Sequence, residues 1–270
     1  MRAPTSPFHA AVHASTRGYA LMSYPTPPPE EVQGVAYLAA VLPHLTAPVR
    51  VRHPFIDMEM ELPKDIGPRI FYLASVGAYE LSDLELLQRH VKAGDDVMEV
   101  GGGIGLTAAL SAKISGRPVT VVEPDSRLFP IIRRQVEIAN GEVRFLHAAV
   151  SAAEDLDEVD LFLDDEVWLS SLTEQDPARG ERNRTKVRVP HRPLSELFDE
   201  HRPSAVMIDI EGAEEGLFER PYRHLPERLL VEVHFPLLGE QRAMRVTQSI
   251  LDLGYRHLDC YGWTFVFQRK

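Results

Sequence analysis

At 270 residues, 44% of them hydrophobic, the chain is long enough to bury one large core and still carry an extension. Its net charge of −11 argues against a general nucleic-acid or anionic-membrane surface, because phosphate binding is carried mainly by Lys and Arg; no apolar run approaches the ~20 residues of a membrane span, and no contiguous apolar signal core opens the chain. Cys260 is the only cysteine, which excludes an intramolecular disulfide and argues against a Cys-based zinc site, so the expected protein is cytoplasmic with a small molecule or a neutral or cationic substrate as its partner.

Residues 1–30 are rich in Pro, Ser, Thr and Ala and end in Pro27-Pro28-Pro29, a stiff spacer that predicts a flexible arm. From Glu30 to Leu45 the apolar positions Val32, Val35, Ala36, Leu38, Ala39 and Leu42 recur at helical spacing, predicting an amphipathic helix. Val49 to Leu62 alternates instead, interrupted by Pro54, and reads as a hairpin of two short strands. Residues 31–75 thus read as a small helix-and-hairpin subdomain ahead of a main fold over 76–270. Ser82-Asp83-Leu84-Glu85 is a capping-box pattern, and Leu84, Leu87 and Val91 continue the apolar face of a helix that Gly94 ends.

The densest stretch follows. Val97-Met98-Glu99-Val100 has a buried-strand pattern, breaks into Gly101, Gly103 and Gly105, and leads into a helix from Leu106 to Ile114, a strand-loop-helix junction of the kind that holds nucleotide cofactors. A dinucleotide loop would place its third glycine at 106, which is Leu106, and would set a pyrophosphate beside Glu99, which repels it. A carboxylate there suits a ligand with a cationic amino group, as in the methionine part of S-adenosylmethionine. Pro118 to Pro124 is a second strand closing on Glu123, 18 residues past Gly105, where an acid accepts hydrogen bonds from ribose hydroxyls.

Ser126 to Ile138 is the next helix, closed by Asn140-Gly141, and Glu142 to Val150 the third strand. Its end, from His147 through Ala149 to Ser151, offers small residues against which a flat adenine can lie, with His147 at the surface. Residues 152–190 form an insertion in which a dense acidic run, 154–166, faces a dense basic one, 179–192, with Trp168 between them. It reads as a solvated, mutually neutralising excursion or a substrate lid. Leu194 to His201 is a short helix. The fourth strand runs through Val206-Met207-Ile208 into Asp209, Glu211, Gly212 and Glu214, and the fifth from Leu229 to Glu232 and His234. Gly239 to Leu253 is an amphipathic helix, and Tyr255–Cys260 with Trp263–Gln268 a closing hairpin. Strands alternating with helices and ending in a hairpin imply an α/β fold, a doubly wound, mostly parallel sheet with one antiparallel strand.

This order of elements resembles a class I S-adenosylmethionine-dependent methyltransferase, which implies seven strands, and more narrowly the FkbM family. The residues that carry the likeness are Gly77-Ala78-Tyr79-Glu80, the loop Glu99 to Gly105, Glu123-Pro124, Ala149-Val150-Ser151 and Asp209-Ile210-Glu211-Gly212-Ala213-Glu214. The chain departs from the family's pattern in carrying Glu99 for Asp and Gly102-Gly103 for Ala-Asn. The resemblance implies that Tyr79, Glu80, Glu99, Gly101, Gly103, Ile104, Gly105, Glu123, Pro124, Ala149 and Asp209 hold the cofactor. It further implies methylation of a hydroxyl, on a sugar, a lipid-linked glycan or a polyketide-type natural product.

Transfer to a hydroxyl needs an aligned oxygen, exclusion of water and a proton acceptor. Asp209, His234, Glu211 and Glu232 are the candidates, at the ends of the fourth and fifth strands. The same four side chains are ligand types that could instead hold Mg²⁺ beside a substrate diol. Glu211 and Glu214 have a further reading, as acids stabilising the start of a helix after Gly212. Fold and cofactor motifs do not choose the acceptor, so N-methylation of a peptide or amino acid, a cofactor-binding protein without catalysis and an NAD enzyme stand as alternatives. A homo-oligomer is left open.

Overall fold

The computed structural model describes residues 29–153, 155–164, 170–172 and 184–270; the N-terminal arm up to residue 28 and Trp168 lie outside them. Helix α1 (Pro29–Val41) runs into a 3-10 turn (Leu42–His44), the hairpin β1 (Val49–Arg52) and β2 (Glu59–Leu62), then α2 (Pro68–Ser75) and α3 (Leu81–His90). The main fold continues as β3 (Val97–Val100), α4 (Leu106–Ser115), β4 (Val119–Val122), α5 (Phe129–Ile138) and β5 (Val143–Leu146). A second hairpin, β6 (Glu158–Leu163) and β7 (Thr185–Pro190), precedes α6 (Leu194–His201) and β8 (Ala205–Ile208). The chain closes with β9 (Arg228–Glu232), α7 (Phe235–Leu238), α8 (Glu240–Asp252), β10 (Tyr255–Tyr261) and β11 (Thr264–Arg269).

Seven strands form one sheet in the order β10-β11-β9-β8-β3-β4-β5. Pairings among β9, β8, β3, β4 and β5 are parallel, and β11 is the antiparallel member between β9 and β10. This is the seven-stranded, doubly wound sheet expected of a class I methyltransferase. Among the described residues no helix is long and apolar enough to cross a membrane.

Strand alternation sorts the core into two layers. Val97, Val121, Met207 and Leu230 face one layer with α3, α4 and α5; Met98, Val122, Val206 and Val231 face the other with α6 and α8. The N-terminal elements join the first layer directly, through Met60, Leu62 and Ile70. Gln135 in α5 exchanges two hydrogen bonds with the Glu61 backbone, so the extension is fastened to the sheet's helical cover.

Several local expectations are corrected. The capping box is not formed: α3 starts at Leu81 behind a left-handed Glu80 with no side-chain cap, and Asp83 is buried and accepts a hydrogen bond from Thr264 Oγ1. That helix ends at His90, and Gly94 sits in the turn beyond it. No helix follows Gly212; residues 211–220 are turns and bends, and Glu214 accepts the Gly212 amide at 3.0 Å. Helix α2 has no counterpart in the sequence reading. The charged insertion, read as loop, contains an antiparallel hairpin whose opposite charges pair across the strands, Lys186 with Asp160 at 2.6 Å and Arg188 with Asp160 at 3.5 Å. These exposed pairs contribute little stability. The hairpin is held by its buried side, Leu161 and Val189 against Ala149.

Candidate active site

The C-terminal ends of β3, β4 and β8 open onto a cleft of about 90 Å³. Tyr79, Gly101, Gly103, Glu123, Pro124, Ala149 and Asp209 line it. Gly101 is left-handed, and a Cβ there would stand 1.7 Å from the Asp209 carbonyl oxygen, so its absence of side chain lets β3 and β8 close at this end. Gly103 lies under Glu80 and Tyr79; a Cβ would meet Glu80 Oε1 at 2.8 Å. Ile104 and Gly105 do not line the cleft. Ile104 is fully buried in the core and Gly105 packs on the Ile132 backbone, which makes them supports of the loop.

Glu123 follows the last residue of β4 and lines the cleft. Its Oε2 accepts the Gly102 amide at 2.8 Å and its Oε1 the Asp125 amide at 2.7 Å. Burial pushes its pKa up to about 7 against those two bonds, which lower it. Leu128, Ala148, Ala149, Val150 and Leu161 supply a low, apolar wall beside it. His147 is outside, its Nε2 2.9 Å from the Pro124 carbonyl.

Glu99 does not line the cleft, contrary to its reading as an acid facing the ligand. It is fully buried, with Oε1 accepting from Thr107 Oγ1 at 2.7 Å and Oε2 accepting no hydrogen bond among the described residues. Burial holds its pKa well above the usual carboxylate range, despite the Thr107 bond. It stands on the same sheet face as Asp209 and Glu232, because β3, β8 and β9 are adjacent and in parallel register.

A second cavity, of about 410 Å³, adjoins the first and shares Tyr79, Asp209 and Glu211 with it. The start of α3 supplies Glu80 and Asp83, the ends of β8 and β9 supply Asp209, Glu211, Glu232 and His234, and the β10–β11 turn supplies Tyr261 and Trp263. All four proposed catalytic side chains are brought together here. His234 Nδ1 lies 2.7 Å from Oε1 of the fully buried Glu214, and its Nε2 lies 3.4 Å from both Asp209 Oδ1 and Glu211 Oε2. Glu80 and Glu211 are two of the non-glycine residues held at left-handed φ among the described residues, both at 51°; such strain persists where the surroundings fix it and clusters at functional sites.

Burial, and after it the neighbouring charges, shifts the proton equilibria here. Burial raises Asp209 to about 8, with His234 pulling it down and Glu211 pushing it up. Burial likewise raises Asp83 to about 6 and holds Glu80 and Glu232 well above the ordinary range. For His234 burial favours the neutral ring, but the Glu214 and Glu211 carboxylates outweigh it and its pKa is raised. The carboxylates around the ring thus favour protonation of His234, while burial favours the protonated form of the acids beside it. No local pattern marks Asp83, Trp263 or Tyr261 as site residues; Glu214 belongs to the 209–214 motif, where its expected role is that of a helix-end acid.

The sequence matches the family model described as the methyltransferase FkbM domain over residues 99–257, more than half of the chain. The chain belongs to the FkbM methyltransferase family. Among curated proteins, the ribosomal protein L11 methyltransferase of Dictyoglomus turgidum is 32% identical over 62 residues, 23% of this chain and 21% of that protein, so the chain matches about a fifth of that relative's length. Among solved structures, the Pyrococcus abyssi tRNA (uracil-54, C5)-methyltransferase in complex with S-adenosyl-L-homocysteine is similar with a TM-score of 0.43 and 15% identity, covering 83% of this chain and 44% of that one. Aeropyrum pernix fibrillarin with natively bound S-adenosyl-L-methionine gives 0.38 and 12%, covering 66% of each. The FkbM match takes in the glycine loop, Glu123, Asp209 and His234, but Tyr79, Glu80, Asp83 and Trp263 lie beyond its ends. Much of the second cavity's wall is therefore built from segments outside the matched domain.

Proposed function

We propose that this protein is an S-adenosylmethionine-dependent O-methyltransferase acting on a hydroxyl of a sugar, a glycan or a polyketide-type natural product. The observation that carries the reading is the wall shared by the two cavities: Tyr79, Asp209 and Glu211 border both, so a donor in one and an acceptor in the other meet across them. When bound, the cofactor supplies an electrophilic methyl group on a sulfonium. Glu123 is the hydrogen-bond acceptor for its ribose, the Leu128 and Ala148–Val150 wall covers its base, and Gly101 and Gly103 allow close approach of its amino-acid end. Asp209, on the wall of the cleft, supplies a hydrogen-bond acceptor for that end.

The second cavity suits a polyhydroxylated acceptor, since it combines aromatic faces, Trp263 and Tyr261, with several carboxyl groups that take hydroxyl hydrogens. Carboxylates packed around an amine would keep it protonated and without a free electron pair, which favours an oxygen acceptor over nitrogen. The Asp209, Glu211, Glu232 and His234 cluster is the place where the hydroxyl proton goes. Isotope-labelled methyl transfer to a panel of sugar, polyketide and peptide acceptors tests the reading: label on a hydroxyl oxygen supports it, and label confined to peptide nitrogen overturns it.

A further inference from the structure

We infer that the second cavity binds one divalent metal ion through Asp209, Glu232 and His234. The inference deepens the acceptor-site reading above and rests on it for the ion's use, though not for its binding. One ligand atom from each of the three residues lies within 4.8 Å of the others. His234 Nε2 and Asp209 Oδ1 are 3.4 Å apart, too far for a charge-assisted hydrogen bond, which closes to about 2.7–2.9 Å. Two ligands each about 2.1 Å from one ion at a tetrahedral angle stand about 3.4 Å apart. Glu232 supplies the third ligand atom, within 4.8 Å of the other two.

Two further observations point to a cation. Asp209 Oδ1 is buried and accepts no hydrogen bond among the described residues, while it faces the imidazole edge that Glu214 leaves open by holding Nδ1. A histidine whose far nitrogen is tied to a carboxylate is the arrangement that orients metal-binding imidazoles. The charge is also unbalanced: Glu80, Asp83, Asp209, Glu211 and Glu232 line the cavity, and among the described residues no Lys or Arg does. Two carboxylate oxygens and one imidazole nitrogen select a borderline ion of the Mn²⁺, Fe²⁺ or Zn²⁺ class over Mg²⁺ or Ca²⁺, which take all-oxygen sets. Three protein ligands leave coordination positions for an acceptor hydroxyl, whose acidity the ion would raise.

The test is Mn²⁺ titration of the full chain, followed by loss of the free-ion electron paramagnetic resonance signal, without donor or acceptor. We expect one Mn²⁺ per chain. Glu232→Gln and His234→Gln should each weaken binding about ten-fold or more, while Glu200→Gln, at an exposed position of α6, leaves it unchanged. Circular dichroism establishes that each variant is folded; should one fail, the other carries the comparison. Absence of Mn²⁺ binding by the unaltered chain, or binding unchanged in the folded Glu232 and His234 variants, would overturn the inference. Because binding is read without turnover, a chain that takes up Mn²⁺ but methylates no hydroxyl would refute the proposed reaction and leave the metal site standing.

Discussion

Glu214 Oε1 and His234 Nδ1 are 2.7 Å apart, and both side chains are buried. Glu214, as a carboxylate, only accepts, so Nδ1 carries the hydrogen and Nε2 is turned toward Asp209 and Glu211. The Gly212 amide, 3.0 Å from the same Glu214 oxygen, fixes the acid in turn. This chain of contacts makes Glu214 a positioning residue for the proposed chemistry. Glu214→Gln keeps the volume and removes the charge; kcat is expected to fall roughly 10- to 100-fold with little change in affinity for S-adenosylhomocysteine. Steady-state kinetics beside calorimetric titration check it, and equal losses in both quantities would indicate a structural role instead.

Gly101 bears on stability and on the cofactor together. At φ +90 with a would-be Cβ 1.7 Å from the Asp209 carbonyl, alanine must push β3 and β8 apart at the mouth of the cleft. Gly101→Ala should cost on the order of 3 kcal/mol. Urea unfolding reads the loss directly, and a cost under 1 kcal/mol would show that the crossing relaxes without strain.

The strand ends were legible because the punctuation there is strong: glycines after Val100, Glu123-Pro124 after β4, the acids after Ile208. These fix which residues reach the C-terminal edge of a parallel sheet, so Asp209, Glu232 and His234 were read as neighbours once β8 and β9 were. The face each side chain takes was less legible. Glu99 reads as a strand-end acid, but the strand continues through Val100, and alternation turns Glu99 beneath the loop toward Thr107. Trp263 and Asp83 join the site only through long-range register, Thr264 opposite Glu232 and bonded to Asp83, which no local pattern carries. In the insertion, Val159, Leu161 and Leu163 do alternate, but among so many acids the run reads as a solvated loop, and the partner strand that makes it a hairpin lies beyond a long connection.

Trp263 separates acceptor from donor recognition. It lines the second cavity and not the first, on the turn between β10 and β11. Trp263→Ala should raise the acceptor KM about ten-fold, the loss of roughly 1.4 kcal/mol of ring contact, and leave S-adenosylhomocysteine affinity unchanged. If the cofactor affinity falls with it, the two cavities are not the separate donor and acceptor sites proposed.

Glu123 gives a pH dependence with a definite sign. Its pKa rises from the ordinary 4.5 to about 7 because burial outweighs the bonds from the Gly102 and Asp125 amides. Between those values the unfolded chain has released this proton while the folded chain keeps it. The folded state therefore binds more protons, and stability falls as pH rises. The contribution is fully present below about pH 4.5, is lost through about pH 7 and is constant above. A shift of this size corresponds to about 3 kcal/mol. Glu123→Gln has no proton to lose, so its unfolding free energy, measured in urea without cofactor, should gain about 3 kcal/mol on the unaltered chain between pH 4.5 and pH 8. A gap that stays constant over that range, or moves the other way, would mean that the two amide bonds stabilise the charged form enough to cancel the burial.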